Sequence, residues 1–504
     1  MDNSLWISTD KKKNREKLKG RIEAEVCIIG GGLTGITTGY YLSKQGKEVV
    51  ILEKNTIGSH TSGNTTGKIT SQHGLFYSYL EESMGKDYAR EYYNANQEAI
   101  RNIKDIIDKD KIECDFEEQD SFVITQDEKD LNKIKDEVRV VNLIGGEAEY
   151  VKSFNNVINK LSPIGGIKFS NQAQFNSYKY LNALANIIEE NKGKIFENSK
   201  VFSVDKEGEG YSIKTEDGEV FAKYVVIASH YPIINFPGFY FMKMYQETSY
   251  LIAVETNEEL FDGMYITNNE PTISLRTAIY NGKRIAIVGG GKHKTGEERI
   301  LKYSYNELEK IAKKLFPDAK VLFRWNAEDC ITLDKIPYIG EFSKMMPNVF
   351  VGTGYKKWGM TTSNIAGKII SDKILGIDNK YEEIFDSRRI KPIKNYKELT
   401  NMVKEVGESL VLKRIKKSHK DLKDLNTDEG KIIEIEGEKL GVYKTKDGEI
   451  YAIRPFCSHL GCQLTFNDLD KTWDCPCHGS KFNYKGENLY DPGIKNLEFT
   501  KIEE

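Results

Sequence analysis

Two short boxes near the C-terminus hold the residues best able to do chemistry: CSHLGC, beginning at Cys457, and CPCHGS, beginning at Cys475. They contain four of the seven cysteines and two of the seven histidines in this 504-residue chain. Cys457-x-His459 and Cys475-x-x-His478 supply two thiolates and two imidazoles, with fifteen residues between the pairs. Zinc accepts such a set, although structural zinc sites favour C-x2–4-C and H-x3–5-H spacing. A [2Fe–2S] cluster with two cysteines on one iron and two histidines on the other needs one Cys and one His from each box. In a reducing compartment so tight a cluster of cysteines points to metal binding or redox chemistry before structural disulfides. Cys27, Cys114 and Cys330 are scattered and read as buried or idle thiols.

A second constellation lies near the other end. Residues 25–53 read EVCIIGGGLTGITTGYYLSKQGKEVVILE. An apolar run enters a glycine cluster, a helical stretch follows, and a second apolar run is closed by an acid, which is the pattern of a βαβ unit. Gly30, Gly32 and Gly35 form GxGxxG: a tight turn, a close approach of backbone to pyrophosphate, and close packing of helix on strand. Phosphate then meets the free N–H groups of the helix N-terminus. Glu53 is placed to accept hydrogen bonds from a ribose hydroxyl. The loop GSHTSGNTTGKITSQHG, with Thr65, Thr66 and Gly67, offers donors to phosphate and to a flavin. Further on, NVFVGTGYKKWGMTT reads as a strand, a Gly352-x-Gly354 turn, then Gly359 and Met360 leading into a helix expected to start near Thr361 or Thr362. Such a helix N-terminus stabilises negative charge on an electron-rich ring.

With these segments and the TLDKIPYIG run, residues 22–376 resemble the FAD-dependent oxidoreductases of the D-amino-acid oxidase, glycine oxidase and sarcosine oxidase superfamily. The resemblance implies a Rossmann-type FAD-binding domain (about 22–80, 145–230 and 325–376) under an antiparallel substrate-domain sheet (about 81–144 and 231–324), an α/β plus α+β body. It implies that Val201 offers its backbone to adenine. It also implies non-covalent FAD, because Asn64 stands where the flavin-linking histidine of the dimethylglycine dehydrogenase type aligns. The two C-terminal boxes match those of Rieske proteins. That likeness implies Cys457 and Cys475 on one iron, His459 and His478 on the other, and Cys462–Cys477 as a disulfide. It places the Ser480 hydroxyl on a cluster sulfide. Phe482 departs from the pattern, which has a Tyr bonded to a ligand sulfur. Loss of that donor predicts a potential below the top of the Rieske range of roughly −150 to +300 mV.

The elements carrying the second site are legible too. Residues 422–504 read as a small all-β domain with hairpin turns at Glu436-Gly437 and Asp447-Gly448. Residues 377–421 read as a helical linker, with apolar residues at Leu399, Met402, Val403, Val406 and Leu410 in helical spacing. The whole chain resembles bacterial two-domain FAD-dependent oxidoreductase/Rieske proteins.

Hydrophobic residues make up 39% of the chain, aromatics 11%, and the net charge is −3. Nothing in that balance marks a nucleic-acid partner. No signal peptide or membrane span is apparent, so the expectation is a cytoplasmic protein. The combination predicts a dehydrogenase that oxidises a small organic substrate, an amine or amino acid among the candidates. Electrons would pass between FAD, the Rieske cluster and a separate donor or acceptor. The alternative is a redox sensor or electron carrier without substrate turnover. For substrate contacts the candidates are Arg276 as a carboxylate clamp, and Lys68 and His73 close to the flavin, with Lys356, Lys357 and Trp358 nearby.

Overall fold

The computed structural model describes residues 4–9, 13–297, 305–389, 425–435 and 437–502. Its first sheet has eight strands and is built around Gly20–Ile29, which pairs in parallel with Val49–Leu52 on one side and Gly218–Ile227 on the other. Residues 26–29 are buried on both faces, which is why that stretch reads as an unbroken apolar run rather than an alternating one. Lys194–Phe196 extends the sheet beyond Val49–Leu52, and Met346–Thr353 pairs in parallel with Gly218–Ile227. The helices Leu33–Lys44 and Gly359–Leu375 share one hydrophobic core on this sheet. The second helix starts two residues before the expected threonines. Thr362 Oγ1 donates to the carbonyl of Trp358 at 2.8 Å, so this threonine lies inside the first turn instead of capping it.

The second sheet has nine strands and is almost wholly antiparallel, with long pairings of Met244–Glu255 against Lys283–Lys294 and Lys320–Thr332. Its membership cuts across the expected division. Gly165–Gln174, Glu149–Val151 and Lys68–Ile69, all placed with the FAD-binding parts, pair in this sheet. Alternation along a strand says that one face is buried; it does not say against which sheet. A short helix, Leu5–Ser8, capped by Ser4, buries Leu5, Trp6 and Ile7 against the same sheet.

The C-terminal part consists of two four-stranded sheets. Glu429–Ile435 pairs with Glu438–Lys444 so that Ile435 faces Glu438, the register of a two-residue hairpin, with Gly437 at φ 84°. Gly448 at φ 87° turns the chain into Ile450–Ile453. The apolar series from Leu399 to Leu410 in the expected linker lies outside the described residues. Among the described residues no helix is long and apolar enough to cross a membrane.

Candidate functional site: a dinucleotide cavity and a two-iron centre

The first site grows from the end of Gly20–Ile29. Gly30 takes φ 114°, and a Cβ there would lie 2.4 Å from the carbonyl oxygen of Ala228; one on Gly35 would lie 2.0 Å from the carbonyl oxygen of Gly30. Only glycine allows strand, helix and neighbouring strand to approach this closely. The N-terminus of Leu33–Lys44 therefore opens onto a cavity of about 1280 Å³, mouth included. Gly30, Gly32, Glu53, Thr65, Val201, Gly352, Gly354, Gly359 and Met360 line it, as does His230. Glu53 accepts from the backbone N–H groups of Gly31 at 2.8 Å and Asn55 at 2.9 Å; burial pushes its pKa up, and these bonds oppose the shift. His230 holds an αL backbone (φ 65°), and its buried Nε2 has no partner. Burial lowers its pKa to about 4, so the ring is neutral. A glycine cradle, a helix N-terminus and an unpartnered imidazole nitrogen suit FAD, whose phosphates and hydroxyls match those donors and acceptors.

Gly35, Thr66 and Gly67 do not line the cavity. Gly35 serves the packing of helix on strand, while the carbonyls of Thr66 and Gly67 accept from Arg276 Nη1 at 2.6 and 2.9 Å. Arg276 also donates to the carbonyls of Phe175 at 3.2 Å and Thr277 at 2.8 Å, and its guanidinium lies 5.1 Å from the Trp6 ring. It is 2% exposed, and burial brings its pKa to about 9. These donors are spent on backbone carbonyls, where a carboxylate clamp would leave them facing the cavity. Lys68 is likewise occupied, by the Tyr265 carbonyl at 2.9 Å and Ser274 Oγ at 2.8 Å, and burial followed by the Arg276 charge lowers its pKa well below the usual value. His73 stacks on Trp358 at 4.8 Å and bonds Tyr92 Oη at 2.8 Å and the Thr70 carbonyl at 2.9 Å. Burial puts its pKa at about 3, so it too is neutral. The three candidates thus brace the walls rather than face the cavity.

Other residues on the cavity escaped the sequence reading. Lys54 follows the acidic strand end directly and His230 follows the apolar end of the strand Gly218–Ile227, so both had a local signal. Asp329, raised by burial to about 6 and lowered in turn by Lys357, had none. Tyr490 and Asp491 line the same cavity from the far end of the chain, a juxtaposition that no local pattern encodes.

The second site joins the two C-terminal loops. Cys462 and Cys477 form a disulfide between them, while Cys457 and Cys475 are free and buried. The sulfurs of Cys462, Cys475 and Cys477 lie within 4.8 Å of one another, but two of the three are bonded together, so this triad is no ligand set. Instead the free thiols of Cys457 and Cys475 hydrogen-bond each other, and that bond draws the pKa of Cys457 down and pushes that of Cys475 up. The rings of His459 and His478 lie 4.9 Å apart, and both buried Nδ1 atoms lack a partner. Burial holds these histidines at about 4 and about 3, in the neutral form that binds metal. The opposite nitrogen of His459 donates to Asn235 Oδ1 at 2.7 Å, and His478 bonds the backbone of Phe241. Ligand histidines carry such outer bonds as a rule. Two thiols plus two orphaned Nδ1 atoms match a [2Fe–2S] centre with mixed ligation.

Asn235 and Phe241 belong to the FAD-binding body, so the histidine side of this centre faces that body. Gln246 Nε2 donates to the carbonyls of His478 at 3.0 Å and Asp491 at 2.8 Å. Lys481, fully buried, pairs with Glu328 of the nine-stranded sheet at 2.5 Å.

Residues 25–373 match the FAD dependent oxidoreductase family (DAO), and residues 417–501 match the Rieske [2Fe-2S] domain. The chain is 34% identical over 498 residues to the Rieske 2Fe-2S iron-sulfur protein YhfW of Bacillus subtilis (strain 168), across 98% of this chain and 96% of that protein. It is 23% identical over 394 residues to gamma-glutamylputrescine oxidoreductase of Escherichia coli (strain K12), covering 74% of this chain and 89% of that one. Glycine oxidase from Geobacillus kaustophilus superposes with a TM-score of 0.61 at 19% identity, over 73% of this chain and 100% of its own. The chain belongs to the FAD-dependent oxidoreductases and carries a C-terminal Rieske domain: a redox enzyme with FAD and a [2Fe–2S] cluster as its cofactors.

Proposed function

We propose that the protein is a dehydrogenase for a small amine or amino acid, and that the electrons leave through the Rieske cluster to a separate one-electron acceptor. Bound FAD supplies a two-electron acceptor, and the cluster carries one electron at a time. The observation that carries the reading is the thin wall between the two sites. His230 lines the cavity, and the ring of the next residue, the fully buried Tyr231, lies 6.5 Å from that of His478. Both histidines that would hold the cluster on this side are bonded to the FAD-binding body, His459 to Asn235 and His478 to Phe241. An amine-bearing substrate is supported by the likeness to gamma-glutamylputrescine oxidoreductase and glycine oxidase, whose names denote amino compounds. In this reading Arg276, Lys68 and His73 are positioning groups that keep the walls of the reaction chamber in place.

The test is anaerobic addition of a panel of amines and amino acids to the purified protein. A substrate should bleach the flavin absorbance and then bring up the EPR signal of a reduced Rieske cluster. Cys475→Ser should keep the bleaching and lose both that signal and turnover with a one-electron acceptor. Oxygen-consuming turnover that survives Cys475→Ser would make the protein a simple oxidase and sink the relay. If no compound in the panel bleaches the flavin, the amine reading is lost.

A further inference from the structure

We propose that the Rieske domain is itself part of the FAD site: residues 488–491 form one wall of the cofactor cavity, so docking of the second domain holds the cofactor in. This goes beyond the proposed function and depends on FAD binding alone, not on the substrate or the direction of electron flow.

Tyr490 and Asp491 line the cavity alongside Lys54, His60 and Lys200 of the FAD-binding body. The Tyr490 ring meets the His60 ring edge-on at 5.0 Å. Lys54 Nζ donates to the Leu489 carbonyl at 3.1 Å and to Asp491 Oδ2 at 3.2 Å, while Lys200 Nζ donates to Asn488 Oδ1 at 3.1 Å. Gln246 ties the Asp491 carbonyl down from the other side. Four side chains of one domain thus fix a short strand end of the other against the mouth of the cavity. The second observation is an unmet demand: Asp491 Oδ1 is buried and has no hydrogen-bond partner. A buried acceptor in that state calls for a donor. On the cavity wall the group able to supply one is a hydroxyl of the cofactor, whose ribose and ribityl parts carry several. Lys54, bonded to the other oxygen of the same carboxylate, offsets its negative charge.

Two linked equilibria follow. A wall present only in the docked state slows cofactor escape, and by reciprocity bound FAD favours docking. The experiment dilutes the FAD-loaded, full-length protein and follows the rise in free-FAD fluorescence. Iron content and the EPR spectrum of the dithionite-reduced cluster serve as the check that the Rieske domain is folded. Tyr490→Ala should release flavin about tenfold faster. Asn488→Ala is the sharper variant: Asn488 anchors the wall without lining the cavity, so a several-fold faster release there reports docking, not a lost cofactor contact. Lys485→Ala, on the exposed turn of the same hairpin, should leave the rate unchanged. Release from Tyr490→Ala and Asn488→Ala within twofold of the unaltered protein, with iron retained, overturns the proposal. If Tyr490→Ala loses its iron, Asn488→Ala decides alone.

Discussion

Phe482 is fully buried beside the cluster loops, and a Cβ on Gly493 would lie only 2.9 Å from its Cζ. The tip of the ring therefore packs close against Gly493, a residue without a side chain. The Ser480 hydroxyl bonds Cys457 and accepts from the Gly493 N–H at 2.9 Å. The chain thus retains one of the two hydroxyls that Rieske proteins aim at the cluster and lacks the other. A hydrogen bond to a ligand sulfur is stronger when the cluster carries the extra electron, so adding one favours reduction. Phe482→Tyr is expected to raise the midpoint potential by roughly 40 mV, the one-electron equivalent of about 1 kcal/mol. Voltammetry or EPR-monitored titration measures it, and an unchanged or lower potential would mean that the hydroxyl does not reach the sulfur.

Between elements, the same guanidinium can be read in two ways, and Arg276 shows what separates them. Its strand, Ile273–Tyr280, runs beside the loop that carries Thr65, and the side chain bridges from one to the other through the Thr66 and Gly67 carbonyls. Trp6 supports the same loop from the N-terminal helix, donating to the Thr65 carbonyl at 2.6 Å. Arg276→Met would leave buried carbonyls unpaired, at about 1–3 kcal/mol each. The expected result is a lower melting temperature and a lower flavin content, with Arg276→Lys rescuing little because a lysine lacks the planar fork. A raised KM with flavin content and melting temperature intact would instead restore the carboxylate-clamp reading. This is also where the sequence stops being legible. GxGxxG and the two Cys/His boxes could be read because each is contiguous and its spacing is its mechanism. Gly165–Gln174 could not be assigned to its sheet, because alternation is the same whichever sheet the strand joins. For Arg276 the sequence leaves both readings open, because a guanidinium serves a substrate carboxylate and a backbone carbonyl equally well; in the fold it bonds backbone carbonyls. Tyr490 and Asp491 were missed because more than four hundred residues separate them from the glycine fingerprint.

Across the whole molecule, the two cofactor sites are held in register by a buried charge cluster. Lys481 meets Glu328 at 2.5 Å, Asp470 at 3.3 Å and Asp474 at 3.7 Å, and all four side chains are at most 2% exposed. Thr248 and Thr295 donate to the Glu328 carboxylate at 2.8–2.9 Å, completing its shell from the nine-stranded sheet. Such a cluster adds little net stability compared with an apolar contact of the same size, because desolvation offsets the Coulomb attraction. Its strength is in specifying one arrangement: a displaced Rieske domain would leave a carboxylate stranded on one side and reduce the compensation of the lysine on the other. Lys481→Met would leave three buried carboxylates without their cation, and a loss of about 3–5 kcal/mol is expected from chemical denaturation. Glu328→Gln tests the interdomain half of the cluster, since it leaves Lys481 its two aspartates within the Rieske domain. If the pair orients one domain on the other, the double variant should lose clearly less than the sum of the two single losses. Additive losses would show instead that Lys481 serves only its own domain, and that the register of cluster and cavity is set by Gln246, Asn235 and the 488–491 wall.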